Sequence, residues 1–351
     1  MMKTRIYLDH AATTPLLTQA RDAMLRGFDL WANPSSPHAA GRQARALLED
    51  ARQRIRAALG WDGQILFTAG ASEAIAIVFA RAKATARLAG ASEHDAVLRH
   101  VPVAERLPVD ADGLVVLPEA IAPGTLIAIQ QVNSETGVIQ PLDALAGRIH
   151  AQGGLLLADC SQGAGKLPLP ASADFIVISA HKLGGPIGIG ALLVRDLALL
   201  APSGGQEQGY RPGTEAMPLA LGFAAALEAP RDWLAPVADW RARIDGAIRA
   251  VGGAVVAETA DRLPTIASYR MPGVSAQAQL IRFDMAGIAV SAGSACSSGS
   301  LRTSHVLAAM GWADEAAGEV VRVTMGHDTQ AAEIDAFLTE WQAVCHGNAK
   351  K

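Results

Sequence analysis

Short apolar runs that alternate with helical segments are the feature that most restricts the fold of this chain. Between about residues 60 and 200, QILFTAG, GTLIAIQQVN, GGLLLADCSQ, ADFIVISAHK and GIGALLVRD are each typical of a buried β-strand. ASEAIAIVFARAKATARLAG and PLDALAGRIHAQGG lie between such runs and have helical periodicity. Strands joined by helices need crossover connections, so the pattern predicts an α/β fold with a mostly parallel sheet covered by helices on both faces.

The pattern changes after the segment YRPGTEAMP. PLALGFAAALEA and DWRARIDGAIRAVGG predict helices, TIASYRM, GIAVSAGSA and VVRVTMG predict strands, and DTQAAEIDAFLTEWQAVC predicts a final helix capped by Asp328 or Thr329. We therefore expect a smaller α+β domain beside the large one, as a length of 351 residues allows. The predicted boundaries are 15–225 for the large domain, and 1–14 with 226–351 for the small domain.

Composition excludes several classes of protein. A net charge of −4 gives no electrostatic footprint for nucleic acid, and no apolar run reaches the roughly 18 residues of a membrane span. The N-terminus reaches Asp9 and His10 before any apolar run, unlike a signal peptide. Cys160, Cys296 and Cys345 are scattered and match neither a disulfide framework nor a zinc site. These features predict a cytoplasmic protein without a metal site.

Asp159 and Lys182 follow two successive apolar strands, and glycine-rich turns follow the lysine. In open parallel sheets, ligands bind at the carboxyl ends of the strands. A lysine and an acid on one ligand are what pyridoxal phosphate requires, since the lysine holds the aldehyde as a Schiff base and the acid keeps the pyridine nitrogen protonated. A lysine alone would more often be an ordinary surface residue, and an aspartate alone would more often cap a loop. The pair favours a cofactor site.

Two further segments could complete such a site. FTAGASEA places Gly70, Ala71 and Ser72 between a strand and a helix, and backbone N–H groups at a helix N-terminus bind phosphate. The same residues could also form an ordinary helix cap. His94, in GASEHDAVL, could stack on the cofactor ring and move protons, although a lone histidine is more often a capping or surface residue.

Nine segments occur in the order found in cysteine desulfurases. They are YLDHAATTP, NPSSPHAAGRQAR, FTAGASEA, SEHDAVL, VNSETGVIQP, DCSQGAGKLPL, SAHKLGGPIGIGAL, GGQEQGYRPGT and SAGSACSSGSL. From Tyr7 to about Gly326 the chain resembles these fold-type I, class V aminotransferase-like enzymes, and specifically the group with an SGSAC nucleophile loop. The resemblance implies pyridoxal 5'-phosphate as cofactor, a large domain with a seven-stranded type of sheet, and a small domain that carries the nucleophile.

The resemblance also assigns roles to matching residues. Lys182 would be the Schiff-base lysine, Asp159 the partner of the pyridine nitrogen, and His94 the ring-stacking catalytic residue. The other cofactor-binding positions would be Gln162, Ser134, Ala71, Ser72, Ser179, His181 and Thr214. In the family this threonine reaches the phosphate of the neighbouring subunit, which implies a homodimer.

The substrate and the nucleophile follow from the same resemblance. Arg322 would clamp the carboxylate of L-cysteine, for which a guanidinium is suited by its bidentate geometry, and Asn33 would also contact the substrate. Cys296 would attack the substrate sulfur as a thiolate, release alanine and keep a persulfide for an acceptor, either an iron–sulfur scaffold or a sulfur carrier. The small residues around Cys296 predict a mobile arm and argue against a buried structural cysteine.

Several positions depart from the family pattern, and three of them bear on the alternatives that stay open. Ser134 replaces a usual asparagine, Ala180 replaces the glycine before His-Lys, and Ile187 replaces the lysine of GPKG. One alternative is a selenocysteine lyase or a related pyridoxal phosphate lyase or transaminase, although a transaminase needs no cysteine in a small-residue loop. The other is a degenerate paralogue that acts as a binding subunit.

Overall fold

The structure, a computed structural model, describes residues 5–293 and 303–348, and side chains up to residue 346. The strands are β1 (Ile6–Tyr7), β2 (Gln64–Thr68), β3 (Ala86–Gly90), β4 (Arg106–Leu107), β5 (Thr125–Gln130), β6 (Leu155–Asp159), β7 (Phe175–Ser179), β8 (Gly190–Val194), β9 (Ala254–Val255), β10 (Ile266–Arg270), β11 (Ile288–Ala289) and β12 (Val320–Thr324). The helices are α1 (Thr18–Asp29), α2 (Ala39–Leu59), α3 (Ala71–Arg81), α4 (Asp95–Leu98), α5 (Leu142–His150), α6 (Met217–Glu228), α7 (Val237–Ala250), α8 (Ala276–Met285), α9 (His305–Ala309), α10 (Asp314–Ala317) and α11 (Ala331–Asn348).

A seven-stranded sheet in the order β2-β8-β7-β6-β5-β3-β4 forms the centre of the molecule. From β7 to β4 neighbouring strands run parallel, and β8 runs antiparallel to both β7 and β2. The predicted α/β class with a mostly parallel sheet is therefore confirmed.

Helices cover both faces of this sheet. In β7, Phe175 and Val177 pack into the cluster that contains α3, while Ile176 and Ile178 pack on the opposite side with residues of α2 and α6. Successive side chains of a strand point to opposite faces, so a strand covered on both faces needs apolar residues at every position. This explains the continuous apolar runs of the sequence.

One sequence prediction is wrong in the region between β2 and β5. The helix predicted through ASEAIAIVFARAKATARLAG ends at Arg81, and Ala86–Gly90 forms strand β3 beside β5. Arg87, on β3, donates hydrogen bonds to the carbonyls of Phe79 (2.8 Å) and Ala82 (3.5 Å) at the end of the helix. Parallel pairing of β3 with β5, together with this cap, overrides the helical preference of the alanine-rich segment.

Residues from the two ends of the chain form a second cluster. β12, β10 and β9 make an antiparallel sheet, and β1 pairs in parallel with β11. Leu8 from the N-terminus shares a buried apolar core with Tyr269, Phe337 and Trp341. The domain boundaries at residues 14 and 225 stay a prediction. None of the helices in the described ranges combines the length and hydropathy that a membrane crossing requires.

The start of the last helix also differs from the prediction. α11 begins at Ala331, so Gln330 precedes the helix and not Asp328 or Thr329. The Asp328 carboxylate lies 3.3 Å from Nε2 of His10, and Thr329 Oγ1 accepts a hydrogen bond from the N–H of Gly326. Asp328 is therefore occupied by a contact with the N-terminal segment, and Thr329 by a local turn with Gly326.

Candidate active site

The predicted cofactor residues lie at the carboxyl edge of the central sheet. Asp159 is the last residue of β6, and Ser179 is the last residue of the adjacent β7. A 3₁₀ turn at Ala180–Lys182 follows, so His181 and Lys182 project from the same edge. Because β6 and β7 are parallel neighbours, their ends meet where an α/β sheet binds its ligands.

The N-terminal segment lies against these strand ends. Lys182 Nζ donates hydrogen bonds to the carbonyls of Ala11 and Ala12 (2.9 Å to Ala12), and Gln162 Nε2 donates to the carbonyl of Ala11 (2.9 Å). The hydroxyl of Thr13 lies 2.6 Å from Nδ1 of His181. YLDHAATTP carried the family resemblance, but its residues were given no role in the sequence analysis. The structure shows that this segment fixes three of the predicted site residues.

The imidazole of His181 is held neutral at physiological pH. Burial, and then the charge of Lys182, lower the pKa of His181 to about 4. A neutral ring has one nitrogen that donates and one that accepts, and Thr13 occupies Nδ1. His181 is therefore available as a neutral hydrogen-bonding group.

Asp159 and Gln162 supply polar groups of the kind that a pyridine ring needs. Oδ1 of Asp159 accepts a hydrogen bond from the N–H of Ser161 (2.9 Å), which orients the carboxylate. Within the described residues, Oε1 of Gln162 and Oγ of Ser161 are buried without a hydrogen-bond partner. Buried polar atoms are normally satisfied, so such orphan atoms are what a site for a polar ligand would leave. Gln162 is close to Lys182, because both side chains donate to the carbonyl of Ala11.

The residues of the predicted phosphate cradle lie at the N-terminus of α3. Gly70 precedes the helix with φ +154° and ψ 179°, a conformation that only glycine adopts readily, and the space where its Cβ would lie is open. Ser72 is exposed in the first turn, next to Ala71. Helix N-terminal N–H groups bind anions, so this end fits a phosphate group.

His94 caps the short helix α4. Its Nδ1 accepts a hydrogen bond from the N–H of Ala96 (3.1 Å), so a neutral ring carries its proton on Nε2. This geometry is compatible with both interpretations of His94, as a helix cap and as a residue that stacks on a cofactor ring, because the capping ring is only half-buried.

The preceding Glu93 is fully buried, and burial raises its pKa well above the usual value. Glu93 accepts a hydrogen bond from the N–H of Gln130 (2.7 Å) and was missed by sequence reasoning.

Arg322 lies on β12 and is buried. Its Nη2 is 2.7 Å from Oδ1 of Asp9, and its Nη1 donates to the carbonyl of Ser134 (3.0 Å). Nε of Arg322 is buried without a partner among the described residues. The structure thus brings Arg322 and Ser134 together, and it adds Asp9, which the sequence analysis did not single out as a site residue.

Both ends of the predicted nucleophile segment are attached next to these residues. Ser291 pairs with Arg322 through backbone hydrogen bonds of 2.6 and 3.1 Å. On the other side, the hydroxyl of Ser304 donates to the carboxylate of Glu135, and Nε2 of His305 lies 2.8 Å from the carbonyl of Glu93. Cys296 itself lies outside the described residues, as does its predicted mobile arm.

The other cysteines do not have the properties of a nucleophile. Cys160 is buried, and burial raises its pKa well above the ordinary value. Cys345 is half-buried in α11, and burial raises its pKa as well. A raised pKa disfavours the thiolate that attacks sulfur.

Two predicted residues lie on the surface of this chain. Thr214 is exposed, and so is Asn33, whose Oδ1 accepts a hydrogen bond from the N–H of Ser35 (2.8 Å). The described contacts do not connect either residue with Lys182. Their predicted roles, in a homodimer and in substrate binding, stay predictions. No cluster of three possible metal ligands occurs in the part of the chain that the structure describes.

Comparison with known proteins agrees with this geometry. The sequence profile of the aminotransferase class-V family matches residues 6–337. A cysteine desulfurase of Gluconacetobacter diazotrophicus is 36% identical over 95% of this chain and 91% of its own, and one of Cereibacter sphaeroides is 36% identical over 95% and 94%. The crystal structure of a NifS-like protein from Rickettsia africae superimposes with a TM-score of 0.89 at 28% identity, covering 97% of this chain and 99% of its own. The chain therefore belongs to the aminotransferase class-V family and, within it, to the cysteine desulfurases.

Proposed function

We propose that this enzyme removes sulfur from L-cysteine, forms L-alanine and retains the sulfur as a persulfide on Cys296. The observation that carries the proposal is the backbone pairing of Ser291 with Arg322. It connects the segment that contains the candidate nucleophile with the strand that contains the candidate carboxylate ligand. A relative named SspA, with a TM-score of 0.79 and 29% identity, was solved in complex with cysteine, which supports this substrate.

Pyridoxal 5'-phosphate is the cofactor that the residues fit. Lys182 would attach it, and Asp159 would face the ring nitrogen. Oε1 of Gln162, which is buried without a partner in the described part of the chain, would be available to a polar group of the cofactor. The α3 N-terminus would bind its phosphate, with Ser179 and His181 nearby on the β7 edge. When bound, the cofactor withdraws electrons from the substrate Cα.

The chain's own residues then have separate tasks. Arg322 would bind the substrate carboxylate through its buried Nε, which has no partner among the described residues. The Cys296 thiolate would attack the substrate sulfur. An S–S bond then forms, the Cβ–S bond of the substrate breaks, and the substrate Cβ takes one proton to give alanine. His94 is a candidate for moving that proton, since its backbone contact at Nδ1 leaves Nε2 as the proton-carrying atom.

Chain length allows Cys296 to reach the site. It follows Ser291 by five residues, which span at most about 18 Å when fully extended. Since Ser291 is paired with Arg322, a connection of this length would be sufficient for the thiol to meet a substrate held by Arg322. Cys160 and Cys345, with raised pKa values, are poor alternatives.

The homodimer and the sulfur acceptor belong to the same proposal. Thr214 is exposed and would contact the phosphate in the second subunit. The persulfide would pass to an iron–sulfur scaffold or a sulfur carrier. A relative from Archaeoglobus fulgidus with 32% identity is named cysteine desulfurase IscS 1, which supports a role in supplying sulfur.

The test is to incubate the purified protein with pyridoxal phosphate, L-cysteine and a dithiol, and to quantify alanine and sulfide. Equal amounts of both are expected from the wild type, and none from Lys182→Ala. The rate with L-selenocysteine, measured under the same conditions and compared with the rate with L-cysteine, distinguishes a desulfurase from a selenocysteine lyase. If L-cysteine yields no alanine although the cofactor binds, the proposed function is wrong.

A further inference from the structure

A small cavity lies next to the turn that carries Lys182. It has a volume of about 30 Å³, and its walls include Lys166, Arg231, His327, Trp233 and Lys182 itself. About 10–15 Å³ suffices for one water, so the cavity has room for two waters or one monatomic ion, and too little room for a phosphate group. None of its lining residues lies in α3, so it is separate from the predicted phosphate cradle.

Besides Lys182, the cationic side chains of Lys166 and Arg231 line this cavity. Lys166 Nζ donates hydrogen bonds to the carbonyls of Gln162 (3.1 Å) and Lys182 (3.4 Å), which accounts for two of its three N–H groups. Arg231 Nη2 donates to the carbonyl of Leu227 (2.6 Å), which accounts for one of five. Both cations therefore retain donors that these carbonyls do not use.

Within the described ranges, neither Lys166 nor Arg231 forms an ion pair with an aspartate or a glutamate. The segments outside the description contain neither of these residue types. Burial, and then the charge of Lys182, lower the pKa of Lys166 to about 8, and burial lowers the pKa of Arg231. Both side chains are partly buried. Cations that lose part of their hydration without gaining a counter-charge are costly, so the cavity favours an anion.

We propose that the cavity binds a small monovalent anion of the halide class, held between Lys166 and Arg231. The guanidinium lies close to the chain at Gly165, where an added Cβ would be 3.0 Å from Arg231 Nη2. Gly165 has φ +76°, so glycine is favoured there both by conformation and by the space that the guanidinium occupies. Because Lys166 also donates to the carbonyl of Lys182, an anion here would stabilise the turn that carries the catalytic lysine.

Bromide soaking tests the site directly. Crystals of the holoenzyme soaked in sodium bromide should give an anomalous peak in the cavity, within hydrogen-bonding range of Lys166 Nζ and an Arg231 nitrogen. The peak should disappear in Lys166→Met and in Arg231→Met, and it should persist in Lys83→Met, which removes an exposed lysine. Ordinary water density without an anomalous signal in the wild type would overturn the proposal.

Thermal unfolding provides a second test that needs no crystals. At equal ionic strength, chloride in place of gluconate should raise the Tm of the wild-type holoenzyme by at least about 2 °C, because only the small anion fits. Lys166→Met should lose this increment while Lys83→Met keeps it. Equal chloride responses in all three proteins would contradict an anion at Lys166, whatever the outcome of the desulfurase assay.

Discussion

Arg322 and Asp9 form an ion pair that joins β12 to the N-terminal segment. Nη2 of Arg322 is 2.7 Å from Oδ1 of Asp9, and their side chains are 7% and 21% exposed. The same N-terminal segment provides the carbonyls of Ala11 and Ala12 to Lys182. The candidate carboxylate ligand and the candidate cofactor lysine are therefore positioned by one stretch of backbone.

A double-mutant cycle measures this relationship. Asp9→Asn should destabilise the protein by about 3 kcal/mol, because it leaves a buried guanidinium without its counter-charge. Arg322→Met combined with Asp9→Asn should cost less than the sum of the single changes, by at least about 1 kcal/mol. Denaturant unfolding gives the free energies. Additive single changes would show that the pair is not coupled.

Because its carboxyl is buried, Glu93 should make the folded protein less stable at neutral pH than at acidic pH. Its folded-state pKa is raised above the value of 4.5, so between 4.5 and the raised pKa the folded state binds more protons and stability falls as the pH rises. Glu93→Gln should remove this dependence while keeping an acceptor for the N–H of Gln130, and should be at least as stable as the wild type at pH 7. Unfolding at pH 5 and pH 7 provides the measurement. The exposed Glu119→Gln is the control, and a clear loss of stability at pH 7 in Glu93→Gln would refute the prediction.

His10 should make the fold sensitive to acid. Burial lowers its pKa from 6.5 to about 4, although Asp328 opposes the shift. The unfolded state therefore binds more protons between pH 6.5 and 4, and stability falls as the pH decreases through that window, by up to about 3 kcal/mol from this group. His181 contributes in the same direction.

The matching experiment compares His10→Gln with the wild type. The variant should show a shallower loss of unfolding free energy from pH 6.5 to pH 4, whereas the exposed His346→Gln should follow the wild type. Parallel curves for His10→Gln and the wild type would mean that His10 is not buried as a neutral ring.

Ser304 should matter for sulfur transfer more than for cofactor binding. Its hydroxyl donates to the buried carboxylate of Glu135 and accepts from the N–H of Leu307 (3.1 Å), which fixes the chain where it returns from the Cys296 segment. Ser304→Ala should cost about 1–3 kcal/mol of stability because Glu135 loses a donor. Alanine formation per bound cofactor should decrease, with cofactor absorbance unchanged. Unaltered turnover in a destabilised protein would limit Ser304 to a structural role.

The sequence predicted the strands that are covered on both faces, and it failed where tertiary contacts decide. Phe175–Ser179 and Leu155–Asp159 are short, continuous apolar runs, a pattern that is typical of buried strands. The ends of these two strands therefore correctly predicted that Asp159 and Lys182 lie at one edge of the sheet. Ala86–Gly90 was missed because its strand pairing and its cap through Arg87 depend on residues distant in sequence.

The same reasoning explains which site residues were missed. Asp9 and Thr13 act through partners more than 150 positions away, Arg322 and His181, so no local pattern reveals them. Glu93 is adjacent to His94, but its buried carboxyl contacts the N–H of Gln130 on β5. Only the fold brings these groups together.

The most direct measurement is the mass of the Cys296 peptide after a single turnover. Wild-type enzyme loaded with pyridoxal phosphate and mixed with one equivalent of L-cysteine, without a reductant, should carry one extra sulfur atom on Cys296 and release one alanine. Cys296→Ala should release no alanine, while Cys160→Ala and Cys345→Ala should behave as the wild type. Added sulfur on Cys160 or Cys345, or undiminished alanine from Cys296→Ala, would contradict the account.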